Sequence, residues 1–252
     1  MKFSIITVSY NAVSTIERTL LSIYGQTYQD YEHIIVDGGS SDGTVDIIRK
    51  YEDRIAYWIS EPDKGVYDAM NKAVKQTSGD WILFLNSDDT LYDKDTLSRL
   101  VKKMVSSNTV YYGNVVIEPM HELYGGPFDR KRLCRENICH QAILYPNSVF
   151  RKYAYDTTYK LYADWHLNIR CMGDTDFRFS YLGETVAYFN VNGLSSRRDD
   201  YRFQHDYGRV IRDNFGFSYR AYLSYLRLKK QLLLLFRRVT RPGSDVEIWT
   251  IY

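Results

Sequence analysis

Residues 3–44 read FSIITVSYNAVSTIERTLLSIYGQTYQDYEHIIVDGGSSDGT, and this stretch decides the fold. An apolar run at 3–8 is followed by a helical pattern and then by a second apolar run at 33–36. Neither run alternates with polar residues, which is typical of strands buried on both faces of a parallel sheet. The stretch therefore predicts a strand, a crossover helix and a second, parallel strand that ends in a glycine-rich turn.

The helix of this unit is marked by Ile16, Leu20 and Ile23, which recur at helical spacing. Ser14 and Glu17 have the spacing of a capping box, and Gly25 stands where a helix would end. We therefore expect the helix to begin close to the capping box and to end at the glycine.

The same alternation of strands and helices continues to about residue 112. Further apolar runs stand at 56–59, 81–85 and 110–112, separated by helical patterns at 45–48, 70–74 and 97–105. This order predicts an α/β fold with a mostly parallel, doubly wound sheet. We expect three regions, namely an α/β half at 1–112, a second half of the same domain at 113–212, and a helical extension at 213–252.

The second half of the domain has a looser pattern. Residues 118–139 are basic and contain several turn formers, which predicts a mobile loop. A helical pattern returns at 163–171, and a strand pattern follows at 185–190.

Composition restricts the class of protein. Hydrophobic residues make up 44% of the chain and charged residues 25%, as in ordinary globular proteins. The formal net charge of +2 is too small to predict nucleic acid as the main partner.

Three cysteines and the lack of a long apolar N-terminal run predict a reducing, cytoplasmic setting. Cys134, Cys139 and His140 could be considered as zinc ligands, but they match no usual zinc spacing.

The C-terminal segment 214–244 is basic, with seven Lys or Arg and no acidic residue. Ala221, Tyr225 and Leu228 begin an apolar helical face that continues to Val239, with most of the basic residues opposite. Its longest apolar run is far shorter than the ~20 residues that a membrane span requires. We expect this helix to lie peripherally on the inner, anionic face of a membrane. Packing on its own domain or on a second subunit is the alternative.

Polar residues follow each predicted strand, and ligands of open parallel sheets bind at these carboxyl ends. They include five carboxylates that should converge on one rim: Asp37, Glu61, Asp63, Asp88 and Asp89. Such crowding is unfavourable without a cation, and hard oxygen ligands favour Mg²⁺ or Mn²⁺, which join carboxylates to substrate phosphates. The turn at 37–44 is compatible with backbone contacts to a ligand and also with Asx-type capping of the next helix.

Four blocks in the first 90 residues stand in a distinctive order: SIITVSYN at 4–11, VDGGSSDGT at 36–44, EPDKGVYDAMNKA at 61–73 and GDWILFLNSDD at 79–89. Together they resemble the family 2 glycosyltransferases, which have the GT-A nucleotide-diphospho-sugar transferase fold. Weaker likeness is seen in ICHQAILYPNSVF at 138–150, LYADWHLNIR at 161–170 and NGLSSR at 192–197. The resemblance covers about the first 200 residues and leaves out the C-terminal helix. It implies that the half at 1–112 binds the nucleotide sugar and that the half at 113–212 binds the acceptor and carries the catalytic base.

The resemblance implies an inverting, metal-dependent enzyme that uses a nucleotide-diphosphate sugar, with UDP favoured. The implied donor contacts are Thr7, Ser9, Asn11, Asp37, Asp63, Lys64 and Asp88. Asp37 would accept a hydrogen bond from a uracil ring nitrogen. Asp89, with Asp88, would hold Mn²⁺ or Mg²⁺. Many relatives carry Asp where this chain has Asn86, which leaves the division of roles open.

The resemblance also implies a general base at Asp164, although a helix N-cap or a surface carboxylate is the structural alternative. Residues that could border the acceptor are His140, Gln141, Trp165 and Ser195.

The lack of a Q-x-x-R-W motif implies single addition to a saccharide or polyprenyl-linked acceptor in surface polysaccharide biosynthesis. A homo-oligomer is compatible with the sequence. The alternatives are a sugar nucleotidyltransferase, which would carry a glycine-rich basic loop at 10–14, and a non-catalytic, membrane-associated member of the fold.

Overall fold

Four parallel strands follow the apolar runs of the first 90 residues. The computed structural model describes residues 1–190 and 200–240, with the backbone alone for Arg227 and for 230–240. The strands lie in the order β3, β2, β1, β4, with the bounds β1 (Phe3–Ser9), β2 (Tyr31–Asp37), β3 (Tyr57–Ser60) and β4 (Trp81–Phe84). Their carboxyl ends meet at one edge of the sheet, as predicted.

Helices cover both faces of this parallel half. They are α1 (Ile16–Tyr24), α2 (Thr44–Lys50), α3 (Val66–Val74) and α4 (Thr96–Lys103), with a 3-10 turn at Glu52–Arg54. Successive residues of β1 alternate between the two layers, because Ile5 belongs to the apolar cluster of α1 and Ile6 to that of α3. The predicted capping box does not form, since α1 follows Thr15, which makes no side-chain cap. Gly25 does cap its C-terminus, as expected.

The second half of the sheet is mixed. Its strands are β5 (Thr90–Leu91), β6 (Thr109–Glu118), β7 (Glu122–Tyr124), β8 (Ile143–Pro146) and β9 (Arg178–Asn190). The order continues from β4 through β8, β6 and β9 to β5, and β7 pairs with β6. β8 runs antiparallel to both of its neighbours, whereas β6 and β9 are parallel. The predicted α/β class is confirmed, with an antiparallel insertion that the sequence pattern did not predict.

The prediction of a mobile loop at 118–139 is wrong. This segment contains β7 and a short helix, α5 (Arg130–Leu133), and it buries Phe128, Leu133 and Ile138. The Arg132 guanidinium lies 3.9 Å from the ring centroid of Phe128, so a basic side chain covers an apolar one. Basic composition and burial therefore coexist in this segment.

The C-terminal third adds four helices, α6 (Asn147–Lys152), α7 (Ala163–Gly173), α8 (Tyr201–Phe215) and α9 (Phe217–Thr240). Gly216, with a φ of +90°, separates α8 from α9. α9 packs on the domain through Leu223, while Tyr225 and Leu228 are 58% and 55% exposed. In the part of α9 whose side chains are described, the predicted apolar face is thus not packed on its own domain. No helix of the described residues is long and apolar enough to cross a membrane.

Candidate active site

The turn after β2 is organised around the buried carboxylate of Asp37. Its Oδ1 accepts the hydroxyls of Ser9 (2.8 Å) and Ser40 (2.6 Å), and its Oδ2 accepts the hydroxyl of Ser60 (2.7 Å) and the N–H groups of Gly39 and Ser40. Burial opposes the charge, but hydrogen bonds from Ser40, Ser60 and Ser9 outweigh it and lower the pKa of Asp37. Asp37 and Ser9 therefore build the turn, and their contacts with a nucleotide stay predictions.

Asn11 joins the end of β1 to the same turn. Its φ is +50°, in the left-handed region that Asn tolerates better than most residues. Its Oδ1 accepts the N–H of Ser41 at 3.1 Å, and its own N–H donates to the hydroxyl of Ser40 at 2.7 Å. Asp42 accepts from both the N–H and the hydroxyl of Thr44, so the Asx-type cap of α2 is present.

Thr7, an expected contact of the nucleotide base, lies in the sheet interior. Its hydroxyl is 3.0 Å from Nε2 of His33, whose Nδ1 is 3.0 Å from the hydroxyl of Tyr24. All three side chains are buried. Burial lowers the pKa of His33 to about 3, so this imidazole is neutral. Thr7 belongs to a buried hydrogen-bonded chain, and the structure does not bring it to the rim.

Tyr10 is an aromatic residue at the rim to which the sequence analysis assigned no role. It follows β1 directly and is 65% exposed. A Cβ atom on Gly38 would lie 2.6 Å from Oδ2 of Asp63 and 3.3 Å from the Tyr10 ring, so these three residues converge. Asp63 accepts the N–H of Gly65, and Lys64 is exposed beside it. A large exposed aromatic immediately after a buried strand is the signal that could have identified Tyr10.

The loop after β4 presents the acidic pair. Asp89 is 1% exposed, and its two oxygens accept the N–H of Asn190 (3.0 Å) and the amide of Gln141 (2.9 Å). Burial, followed by the charge of Asp88, raises the pKa of Asp89 to about 7. Burial also raises the pKa of Asp88, whose backbone carbonyl accepts a hydrogen bond from Arg18. Two crowded anionic side chains of this kind are stabilised by a cation.

The donor set fits a hard divalent cation. Among residues 1–190 and 200–240, no three His, Cys, Asp or Glu side chains are grouped as a metal site. The five carboxylates at the rim therefore do not form one ligand cluster, because Asp37 is enclosed in its turn and Glu61 pairs with Lys72 at 2.7 Å. Asp88 and Asp89 would leave most coordination positions to phosphate and water oxygens, which is the usual arrangement for Mg²⁺.

Asp164 lies in the first turn of α7 and is 7% exposed. Its Oδ1 accepts the Tyr67 hydroxyl (2.8 Å) and the N–H of Trp165 (2.8 Å), and its Oδ2 accepts the Asn137 amide (2.8 Å). The N-cap of α7 is Tyr162, so Asp164 is neither a cap nor a surface carboxylate. It is a buried carboxyl group with three hydrogen-bond donors arranged around it.

A 3-10 turn, His140–Ala142, lies between Asp89 and Asp164. Nε2 of His140 is 2.9 Å from the amide nitrogen of Asn86, and Nδ1 is 3.5 Å from Oδ2 of Asp164. Gln141 is buried and holds Asp89, so the structure corrects the expectation that it borders an acceptor. The turn thus connects the acidic loop after β4 to the start of α7.

Trp165 points away from this turn, contrary to its expected acceptor contact. It is buried, its Nε1–H donates to the carbonyl of Leu133 at 2.8 Å, and its ring packs 5.6 Å from that of Phe203. Ser195, another candidate acceptor residue, lies outside the described residues.

Comparison with known proteins decides the family. A family model described as Glycosyl transferase family 2 matches residues 4–184. The chain is a family 2 glycosyltransferase. The resemblance found in the sequence is confirmed, and the nucleotidyltransferase alternative is set aside.

Named relatives of this family 2 glycosyltransferase agree with the assignment. It is 38% identical over 209 residues to a "PGL/p-HBAD biosynthesis glycosyltransferase" of Mycobacterium bovis, covering 80% of this chain and 82% of the relative. It is 39% identical over 111 residues to the "Putative teichuronic acid biosynthesis glycosyltransferase TuaG" of Bacillus subtilis, covering 43% and 44% of the two chains.

Solved structures show the same fold at low sequence identity. S. aureus TarS 1-349 in complex with UDP superposes with a TM-score of 0.62 at 20% identity, over 86% of this glycosyltransferase and 73% of the TarS 1-349 chain. The mannosyltransferase PcManGT of Pyrobaculum calidifontis, in complex with GDP-Man and Mn²⁺, gives 0.61 at 19%, over 84% and 62%. The predicted GT-A fold is confirmed.

Proposed function

We propose that this family 2 glycosyltransferase moves one sugar, with inversion, from a UDP-sugar to a hydroxyl of a saccharide or polyprenyl-linked saccharide in surface polysaccharide biosynthesis. One observation carries the proposal. Two buried carboxylates, Asp89 and Asp164, are contacted by adjacent residues of one short turn. Sugar transfer needs one group near the departing diphosphate and another near the attacking hydroxyl, and this arrangement suits both tasks.

The donor side of the proposal uses the rim residues after β1, β3 and β4. The exposed ring of Tyr10 offers a stacking face for the base, beside Asp63 and Lys64. UDP is favoured because TarS structures contain UDP and UDP-GlcNAc, although PcManGT contains GDP-Man. Asp89 and Asp88 would hold Mn²⁺ or Mg²⁺, which supplies electrostatic stabilisation of the departing diphosphate.

The acceptor side of the proposal uses Asp164 as the general base. The acceptor oxygen attacks the anomeric carbon as the bond from that carbon to the diphosphate breaks, and the bonding pair leaves with UDP. The acceptor proton passes to Oδ2 of Asp164, because Oδ1 already accepts two hydrogen bonds, from Tyr67 and Trp165, whereas Oδ2 accepts one, from Asn137. A positioned base of this kind accelerates transfer about 100-fold to 10,000-fold.

The test begins with a thermal-shift screen of UDP-glucose, UDP-galactose, UDP-GlcNAc and GDP-mannose, with and without Mn²⁺. The UDP-sugar that stabilises the protein most then serves as substrate, with UDP release to water or to an added saccharide as the assay. Asp164→Asn should keep UDP affinity and lose turnover by about 100-fold or more. The exposed Asp213→Asn is the matched control. Wild-type turnover in Asp164→Asn would remove this residue from the mechanism, and stabilisation by GDP-mannose alone would refute the UDP assignment.

The proposal extends to a peripheral position on the cytoplasmic face of the membrane, through α9. Tyr225 and Leu228 are exposed on one side of the helix, while Leu223 anchors the other side. The basic residues of the segment 214–244 can meet lipid phosphates while the apolar face enters the headgroup region.

Liposome sedimentation tests this position. The double variant Tyr225→Asp, Leu228→Asp should lose binding to phosphatidylglycerol vesicles, and added salt should weaken wild-type binding. Val105→Asp changes an apolar residue elsewhere that is 88% exposed and should bind like the wild type. Equal binding by the double variant would defeat the proposal. Salt-independent self-association in place of lipid binding would favour a second subunit as the partner of α9.

A further inference from the structure

His140 stands between the base and the acidic loop, and its sequence context predicted a residue that borders the acceptor. Its Nδ1 faces Oδ2 of Asp164 at 3.5 Å, and its Nε2 lies 2.9 Å from the amide nitrogen of Asn86. The side chain is 15% exposed, so protein rather than solvent sets its surroundings. Its two ring nitrogens therefore face two groups with different tasks.

The neighbours of His140 determine which nitrogen carries the proton. A lone pair on Nδ1 would be repelled by the Asp164 carboxylate, whereas an N–H there is attracted. Nε2 must then accept, and Asn86 presents its amide N–H to it. In this orientation the carbonyl oxygen of Asn86 is buried without a hydrogen-bond partner in the described structure. The two neighbours thus favour the tautomer with the proton on Nδ1.

We propose that His140 is a positioning residue for Asp164, whose Nδ1–H holds Oδ2 towards the acceptor while Nε2 ties the base to the donor loop through Asn86. The inference rests on the proposed function, since it takes Asp164 as the base. The separation of 3.5 Å lies just outside hydrogen-bonding distance, so the Nδ1–H orients Oδ2 as a nearby dipole, and the lone pair of Oδ2 that Asn137 does not use stays available for the acceptor proton.

Through His140, the loop after β4, which we call the donor loop, is connected to the proposed base Asp164. Asn86 lies on the same loop as Asp89, and Asp89 is held by Gln141, the neighbour of His140. A movement of the loop on donor binding is therefore passed to Asp164 at two adjacent positions. Loss of the His140 contact should lower kcat and leave donor affinity unchanged, because no atom of His140 is required to hold the donor.

Two substitutions separate the two nitrogens. The Asn amide nitrogen occupies the place of Nδ1, and the Gln amide occupies that of Nε2. His140→Gln should lower kcat by about 10- to 100-fold with an unchanged donor KM, because the base is no longer aligned. The acidic limb of its pH profile should move to higher pH, since the ionised carboxylate loses a favourable N–H. His140→Asn should rescue most of kcat, and the exposed His205→Gln is the matched control.

The pH profile is interpretable because, besides His140 itself, the titratable groups near Asp164 in the described structure are Tyr67, Cys139, Tyr145 and Tyr155. Burial raises the pKa of all four well above neutrality. Assays at saturating Mn²⁺ and donor keep the nearby Asp89 ionised.

An NMR measurement tests the inference without turnover. With ¹⁵N-histidine, wild-type His140 should be the Nδ1–H tautomer at pH 7.5, and Asp164→Asn should disturb it. An Nε2–H tautomer, or His140→Gln with wild-type kcat, would overturn the inference. Equal losses in the Gln and Asn variants with unmoved pH profiles would show a merely structural role and would also overturn it. Absence of UDP binding by the wild type would instead count against the proposed function.

Discussion

Replacement of Asp89 by Asn should stabilise the metal-free protein and abolish metal-linked donor binding. Burial and the neighbouring Asp88 raise the pKa of Asp89 from 3.8 to about 7. The folded state thus binds this proton more tightly than the unfolded state, so stability falls as the pH rises from about 4 to about 7. At pH 8 the loss is at most about 4 kcal/mol, because each pKa unit is worth about 1.4 kcal/mol.

The expected gain is smaller than this limit. The Asn side chain can still accept the N–H of Asn190, but it loses a charge-assisted bond and requires the Gln141 amide to reverse. We therefore expect about 2 kcal/mol at pH 8, which raises Tm by about 4–8 °C. At pH 5 the unfolded carboxyl is already ionised while the folded one is protonated, which costs the wild type about 1.6 kcal/mol and roughly offsets the weaker hydrogen bonding of Asn, so the two proteins should agree within about 0.5 kcal/mol.

Thermal unfolding in chelator at pH 5 and pH 8 measures the gain, and calorimetry of UDP with Mn²⁺ at pH 8 measures donor binding. Asp46→Asn, at an exposed carboxylate, is the control and should change neither quantity. An Asp89→Asn protein that is less stable at both pH values would refute the buried-charge reasoning. Normal metal-linked UDP binding by that variant would refute its role as a ligand.

Three further outcomes are expected. Tyr10→Ala should weaken UDP binding by about 1–3 kcal/mol in calorimetry while Tyr10→Phe does not, because base stacking is lost only in the former; equal affinity would exclude stacking. Gly38→Ala puts a Cβ 2.6 Å from Oδ2 of Asp63, so donor affinity should fall while Tm changes little, since the Asp63 side chain can move; a large drop in Tm would contradict this. Leu223→Ala should cost about 2–5 kcal/mol in chemical unfolding if α9 is anchored to the core; no loss would show that it is not.

Local patterns were sufficient for the parallel half of the fold. Strands such as β1 and β4 are uninterrupted apolar runs followed by polar residues, so sequence alone located both the strands and their functional ends. The Asp88–Asp89 pair was found in this way, because the residues after a parallel strand stand at the ligand-binding edge whatever the rest of the chain does.

Long-range packing decided what the sequence could not predict. The β8 strand is a short apolar run whose place between β4 and β6 depends on neighbours far along the chain. Gln141 meets Asp89 across 52 residues, and Trp165 turns inward because Phe203 of α8 lies beneath it. The local periodicity of apolar residues in the sequence carries no information about such long-range contacts.

The sequence pattern alone did not indicate a role for Asp164 as a general base. By itself it looked like a helix cap, and only the family resemblance suggested a base. The buried network from Tyr67 and Asn137 shows why a carboxylate there is not ordinary surface chemistry. For Thr7 the family resemblance was misleading. It is a polar residue near the end of a strand, but its hydroxyl is hydrogen-bonded to the buried His33 and does not reach the rim.

The central claim is that Asp88 and Asp89 bind a cation that in turn binds the diphosphate of the donor. Its most direct test is to titrate UDP into the wild-type protein, once with Mn²⁺ and once with a chelator. We predict binding that weakens at least about tenfold, or about 1.4 kcal/mol, without the metal. Equal affinity in the two titrations would contradict the central claim.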